Sequence, residues 1–277
     1  MKRYLWMTAL LTQGLYAYTQ TTLTGMVTDA EDHKPVPYVS IGVTRTPNGT
    51  VSNAAGIFSI TLDNKVTDND TLKFSGIGYQ SKALLVGELK EILKHGPLSI
   101  SLNRSVNQLR QVSVTSKKGH VKIVGYDKNS KLFGLGFYAS GVGSQAGVII
   151  PISHPETNLE NVSFYIVDNP FKQLLFRVNL YELVNNKPGN NILTENIFLH
   201  VDDNRTGKVI FDLSKYNLYF DNDVLLTLEW IDAQPSAPNT RLVVAAAVFG
   251  HTWYQQASQS AWTKKGTGLG LSVKTVY

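Results

Sequence analysis

The chain has no cysteine. That excludes disulfides, thiolate metal ligands, a cysteine nucleophile and a lipidated N-terminal cysteine. Charge is also scarce: Asp, Glu, Lys and Arg together make up 17% of 277 residues. The formal net charge of +5 comes from basic residues scattered along the sequence, whose densest clusters are as short as Lys117-Lys118 and Lys264-Lys265. Nucleic-acid binders concentrate basic charge on one element, so this pattern points away from them. Long hydrophobic runs are missing too. The apolar stretch Tyr4–Ala17 is short and interrupted by Thr8, Thr12, Gln13 and Gly14, too broken to span a bilayer. Preceded by Lys2-Arg3 and followed by a polar Tyr18–Thr22 segment, it reads as a signal peptide over 1–19, cleaved between Ala17 and Gln20. The mature chain is then expected to be exported, without a transmembrane segment, and to lie in the periplasm, at the outer membrane or outside the cell.

What the sequence has in plenty is Thr, Ser, Val, Asn and Tyr, residues of strands and turns. Residues 20–103 alternate on a period of two. Leu23, Gly25 and Val27 share a face, as do Val39, Ile41 and Val43, then Phe58, Ile60 and Leu62, then Leu98, Ile100 and Leu102. Polar or glycine-bearing turns at Asn48-Gly49, Asn53–Gly56 and 63–70 separate them, and one short helix is expected across 87–95. About seven short strands make a small β-sandwich. Residues 104–120, with Val112 and Val114 followed by Ser-Lys-Lys-Gly-His, read as a linker or an extra strand. Residues 121–277 are again strand-rich, and the architecture expected there is a second, larger β-sandwich of jelly-roll type. In it Phe176, Val178 and Leu180 alternate with Arg177, Asn179 and Tyr181, "NNKPGNN" (185–191) is expected as a loop, and the glycine-rich 134–147 as tight turns.

Residues 25–58 carry Gly25, Val27, Asp29, Pro35, Gly49, Thr50, Ser52, Asn53, Gly56 and Phe58 in a fixed order, and "LKFSGIGYQSK" follows at 72–82. This pattern resembles the carboxypeptidase-regulatory-like domain found in bacteria of the Bacteroidetes group. The resemblance implies a seven-stranded, transthyretin-like sandwich, with Asn53–Gly56 as a hairpin turn and Phe58 as a core anchor. It does not imply peptidase chemistry, because such domains accompany zinc carboxypeptidases without being catalytic. None of His33, His95, His120, His154, His200 and His251 has Glu three residues on, the spacing that a zinc site of that kind needs. "LRQVSVT" (109–115) resembles the segment that precedes the plug of TonB-dependent receptors. The roughly 160 residues that follow cannot supply a plug and about 22 strands of ~10 residues each.

Other chemistry has little support. The Gly-rich 134–147 lacks a phosphate-loop ending and a dinucleotide fingerprint, and Ser144 lacks the Gly-x-Ser-x-Gly frame. The acidic loops Asp202-Asp203-Asn204 and Asp221-Asn222-Asp223 offer hard oxygens for calcium but lack the spacing of a calcium loop, so no cofactor is expected. Glu182, Glu195 and Glu229, read as strand residues, are the carboxylates from which a glycoside hydrolase would draw a pair. Trp253, Tyr254 and Trp262 are the candidate ligand-binding residues, since aromatics exposed on a β-sandwich can stack on sugar rings, while Trp230 falls in a strand. The function expected is a non-catalytic, exported binding or assembly module of the cell envelope. Its partner would be an envelope protein or a glycan, and the alternatives are a carbohydrate-binding protein or a glycoside hydrolase.

Overall fold

The computed structural model describes residues 20–105 and 119–277, apart from 128, 130, 236 and 238. The signal-peptide expectation and the "LRQVSVT" segment lie outside the described residues. The described chain is all-β, with one α-helix and one 3-10 turn.

The N-terminal part is a sandwich of two sheets. Its strands are β1 (Thr21–Asp29), β2 (Ser40–Val43), β3 (Gly49–Val51), β4 (Ile57–Leu62), β5 (Thr71–Ser75), β6 (Lys82–Leu85) and β7 (Leu98–Leu102), with helix α1 (Val86–Leu93) before β7. One sheet has the order β4-β1-β7 and the other β3-β2-β5-β6. The period-two pattern is the cause. Phe58, Ile60 and Leu62 turn inward while Ile57, Ser59 and Thr61 face out. They meet Leu23, Val27, Ile41, Leu72 and Phe74 in a single apolar cluster. Phe58 sits edge-on to Phe74, with ring centroids 5.6 Å apart.

The residues of the ordered motif do local work. Asn53 Oδ1 accepts hydrogen bonds from the backbone N–H of Ala55 (2.9 Å) and Ile57 (3.0 Å), and Gly56 completes the turn at φ 72°. Ser52 Oγ accepts from the N–H of Val39 at 2.8 Å. Asp29 joins the two motif segments: its Oδ1 accepts from the N–H of Glu31 and its Oδ2 from the Tyr79 hydroxyl (3.0 Å) and Arg104 Nε (2.6 Å). The Arg104 guanidinium and the Glu31 N–H hold the Asp29 carboxyl far below the usual carboxylate range.

The C-terminal part is a larger sandwich with its own core. Its strands are β8 (Val121–Gly125), β9 (Gly134–Tyr138), β10 (Gln145–Ile150), β11 (Thr157–Asp168), β12 (Gln173–Val184), β13 (Lys187–Asn191), β14 (Ile197–Asp202), β15 (Gly207–Asp212), β16 (Tyr219–Phe220), β17 (Val224–Gln234), β18 (Arg241–Ala247), β19 (Thr252–Gln255), β20 (Trp262–Lys265), β21 (Gly268–Leu269) and β22 (Leu271–Val276). One sheet runs β13-β12-β17-β10-β19-β20, with β14 also on β12. The facing sheet runs β21-β18-β11-β22-β8, with β15 and β16 on β11 and β9 on β18. Between them Trp230 is fully buried against Phe137, Phe171 and Phe176.

Three sequence expectations change here. "NNKPGNN" is not a loop. Asn185 and Asn186 take φ of 51° and 59°, and Lys187–Asn191 then pairs back onto β12. Asn tolerates the left-handed region that a two-residue hairpin requires, so the turn is shorter than its composition suggests. Gly134–Tyr138 is a strand rather than a turn, and only 139–144 connects it to β10. Glu195 lies in the bend between β13 and β14, not in a strand.

Candidate functional site

Strand β12 places Phe176, Val178 and Leu180 in the core and turns Arg177, Asn179 and Tyr181 to the opposite face. Alternation of this kind reads as one wet face and one dry face. The structure buries both. Arg177 is 2% exposed and Glu229, beside it on β17, is also 2% exposed. Arg177 Nε and Nη2 donate to Glu229 Oε2 at 2.9 and 2.7 Å. Asn179 Nδ2 donates to the same oxygen at 2.7 Å. Gln145, on β10, ties in the rest. Its Oε1 accepts from Thr227 Oγ1 (2.6 Å) and the Tyr181 hydroxyl (3.1 Å), and its Nε2 donates to Gln255 Oε1 (2.7 Å). Burial pushes the Tyr181 hydroxyl pKa far up, and the Glu229 carboxylate adds to the effect. Every side chain of this network is bonded to another of its members, which is the condition under which such a network is tolerable in a low-dielectric interior.

The N-terminal sandwich is the cover. Arg177 Nη1 donates to the Tyr38 carbonyl at 2.6 Å and Nη2 to Ser40 Oγ at 2.6 Å, while Ser40 Oγ donates to Glu229 Oε1 at 3.0 Å. Tyr38 packs edge-on to Phe198, with centroids 4.9 Å apart. The N–H of Arg45 donates to the Gln259 carbonyl at 2.9 Å. Gly42 and Gly49 lie directly against the backbone of Ser258, so close that a Cβ on either would collide with its carbonyl oxygen. The Gly76–Tyr79 turn reaches over as well: Ile77 packs on the C-terminal core.

Between the two sandwiches a cleft of about 380 Å³ remains. Its floor is Gln145, Asn179, Tyr181 and Glu229; Ser75 to Tyr79 line one wall, and Asn190, Asn191 and Trp262 line another. Trp262 is partly exposed and stands edge-on to Tyr181, centroids 5.2 Å apart. Of the three aromatics singled out in the sequence, Trp262 alone lines this cleft. Trp253 is 8% exposed. Tyr254 points to the other face of β19 and packs on the hydrophobic core, where burial raises its hydroxyl pKa.

A second, larger groove of about 1340 Å³ opens at one end of the C-terminal sandwich. Tyr216, Tyr219 and Phe220 line it with Glu156, Glu182, Glu195, Asp221 and Asp223. Most of these carboxylates with hydrogen bonds shape loops. Asp223 Oδ1 accepts from the N–H of Ile152 and Asp221 Oδ1 from that of Glu156, so this acidic loop pins its neighbour. Glu182 Oε1 accepts from Asn190 Nδ2 at 2.7 Å. In the other acidic loop, Asp203 and Asn204 adopt left-handed turn conformations. Among the described residues no group of three or more Asp, Glu or His side chains is placed to hold a metal, and no helix is long and apolar enough to cross a membrane.

Comparison with known proteins bears on the N-terminal part of the chain. Residues 23–114 match the family model described as CarboxypepD_reg-like domain. The N-terminal sandwich is therefore a carboxypeptidase-regulatory-like domain, and the match stops before the C-terminal sandwich begins. No curated protein matches the chain. One solved structure found similar is described as "Structure of infectious bursal disease virus Gt strain". The likeness has 9% identity over 92% of this chain, spans 63% of that chain and has a TM-score of 0.21, too low to carry an argument.

Proposed function

We propose that the protein is an exported, non-catalytic binding or assembly module of the bacterial cell envelope, with its carboxypeptidase-regulatory-like domain docked as a fixed part of the binding body. The observation that supports this reading is the Arg177–Glu229 pair, which reaches from the C-terminal sheet to Tyr38 and Ser40 and leaves a cleft along the seam. Ligand clefts of a few hundred Å³ favour such domain junctions. The carboxylate that lies in this cleft, Glu229, is held by four donor atoms from Arg177, Asn179 and Ser40, which suits a structural part better than a proton-transfer step. Export is carried by the Lys2-Arg3 and Tyr4–Ala17 pattern. Fractionation of cells expressing the tagged full-length chain tests it. The tag is expected in the envelope or the medium, on a protein whose N-terminal sequence starts between Tyr18 and Thr21. Intact Met1 in the cytoplasm would overturn it. The carbohydrate-binding alternative keeps one specific support, the position of Trp262 at the cleft.

A further inference from the structure

The seam cleft has a composition that narrows what can occupy it. Arg177 and Glu229 neutralise each other, so Lys73 is the only other charged side chain lining it among the described residues. A strongly charged ligand finds no compensating cluster there. A wholly apolar ligand would cover amide and hydroxyl groups without replacing their hydrogen bonds, at a cost of about 1–3 kcal/mol for each group left unpaired. The remaining class is a neutral or weakly charged molecule with many hydroxyls.

Two further features match that class. The floor is held rigid before anything binds: the Gln145, Asn179 and Tyr181 side chains are fixed by the network beneath them. Fixed donors and acceptors avoid the ordering cost that flexible side chains would add on binding. At the mouth stands Trp262, its tilt set by the perpendicular ring of Tyr181. An indole offers a flat apolar surface with a single polar tip. The C–H face of a pyranose ring is also flat and apolar, while its rim carries hydroxyls.

We propose that the cleft between the two sandwiches binds a small saccharide, with Trp262 covering one face of the sugar ring and the amides and hydroxyls of the cleft bonding its hydroxyls. This deepens the binding-module reading and rests on it. The same polar and aromatic pairing occurs at the end groove, but there it is dominated by carboxylates that hold loops. The seam cleft is also the smaller of the two, of a size for one or two sugar rings.

The test titrates the purified chain, residues 20–277, with glucose, galactose, mannose, N-acetylglucosamine, glucuronate and the disaccharides maltose and cellobiose, read by tryptophan fluorescence and calorimetry. At least one sugar is expected to bind saturably. Trp262→Ala should weaken it about tenfold or more, the usual effect of removing a central aromatic anchor. Trp262→Phe keeps a ring against Tyr181 and should retain part of the affinity, which guards against a loss caused by misfolding. Tyr219→Ala, in the end groove, should bind as the wild type does. The proposal is overturned if none of these sugars binds. It is equally overturned if Trp262→Ala binds as tightly as wild type, or if Tyr219→Ala is the variant that loses binding. Failure here with an envelope-located protein would remove the saccharide and leave the binding-module reading intact. A cytoplasmic protein with an intact Met1 would remove the latter by itself.

Discussion

At its centre the sheet of β12, β17 and β10 buries both of its faces, and it does so by opposite means. On the inner face Phe176, Val178 and Trp230 are packed by shape, and nothing there needs a directional partner apart from the indole N–H. On the outer face Arg177, Asn179, Gln145 and Glu229 are held by direction, each bonded at a defined distance beneath the N-terminal sandwich. An apolar face tolerates repacking. A polar face under a low dielectric tolerates little, because an unpaired group there bears its full desolvation cost.

Large truncations should separate the faces most clearly. Trp230→Ala, and Phe58→Ala in the N-terminal core, should each lower stability by about 3–5 kcal/mol in denaturant titrations, the range for a buried aromatic. A loss below 1 kcal/mol would mean that the core collapses around the gap.

On the polar face, Arg177→Met should cost a similar amount, about 3–5 kcal/mol, because Glu229 keeps its charge and loses its partner. The double variant Arg177→Met/Glu229→Leu should recover most of that loss, since an apolar pair of similar volume often matches a buried ion pair. If the double variant is no better than the single one, the hydrogen bonds to Ser40 and Asn179 matter more than the charges.

Smaller again is the seam itself. Gly49→Val should cost about 1–3 kcal/mol by forcing the hairpin off Ser258. Calorimetry should then show two thermal transitions where the wild type shows one. A single unchanged transition would mean that docking adds nothing to stability.

The smallest effect concerns acid. The Asp29 carboxyl is depressed by Arg104, so the stability it contributes is complete above the ordinary aspartate range near pH 3.8 and is lost as pH falls through its lower folded value. Asp29→Asn should therefore lower stability at neutral pH and flatten the acid limb. A variant whose acid limb is as steep as wild type would show that other carboxylates govern it.

The comparison of faces also explains what could be read from the sequence. The N-terminal sandwich was legible because its period-two pattern and its turn residues are local signals, and because its two motif segments together resemble one family's pattern. The core face of β12 was legible for the same reason. The other face was visible only as Arg177, Asn179 and Tyr181 alternating with apolar residues, a pattern that does not say whether water or protein lies above. What covers it comes from Tyr38 and Ser40, more than 130 residues earlier in the chain. Trp262 was picked out as an aromatic, but its place at the cleft depends on strand pairing: Tyr254 takes the opposite face, and Trp253 shares the face of Trp262 but is covered. The Asn185-Asn186 turn was misjudged because "NNKPGNN" contains turn residues throughout and only two of them turn.

Gly42 and Gly49 have a consequence for modularity. The N-terminal core closes within residues 20–105, so another sandwich of the same kind could be grafted in their place with its own core intact. It would fold, yet it would stand off from the C-terminal sheet unless it too left the space above Ser258 empty at both positions. Arg177 would then face water instead of Tyr38. Whether a graft restores the native assembly thus turns in part on two missing methyl groups, on the outward side of the β2–β3 ladder that holds the grafted sheet together.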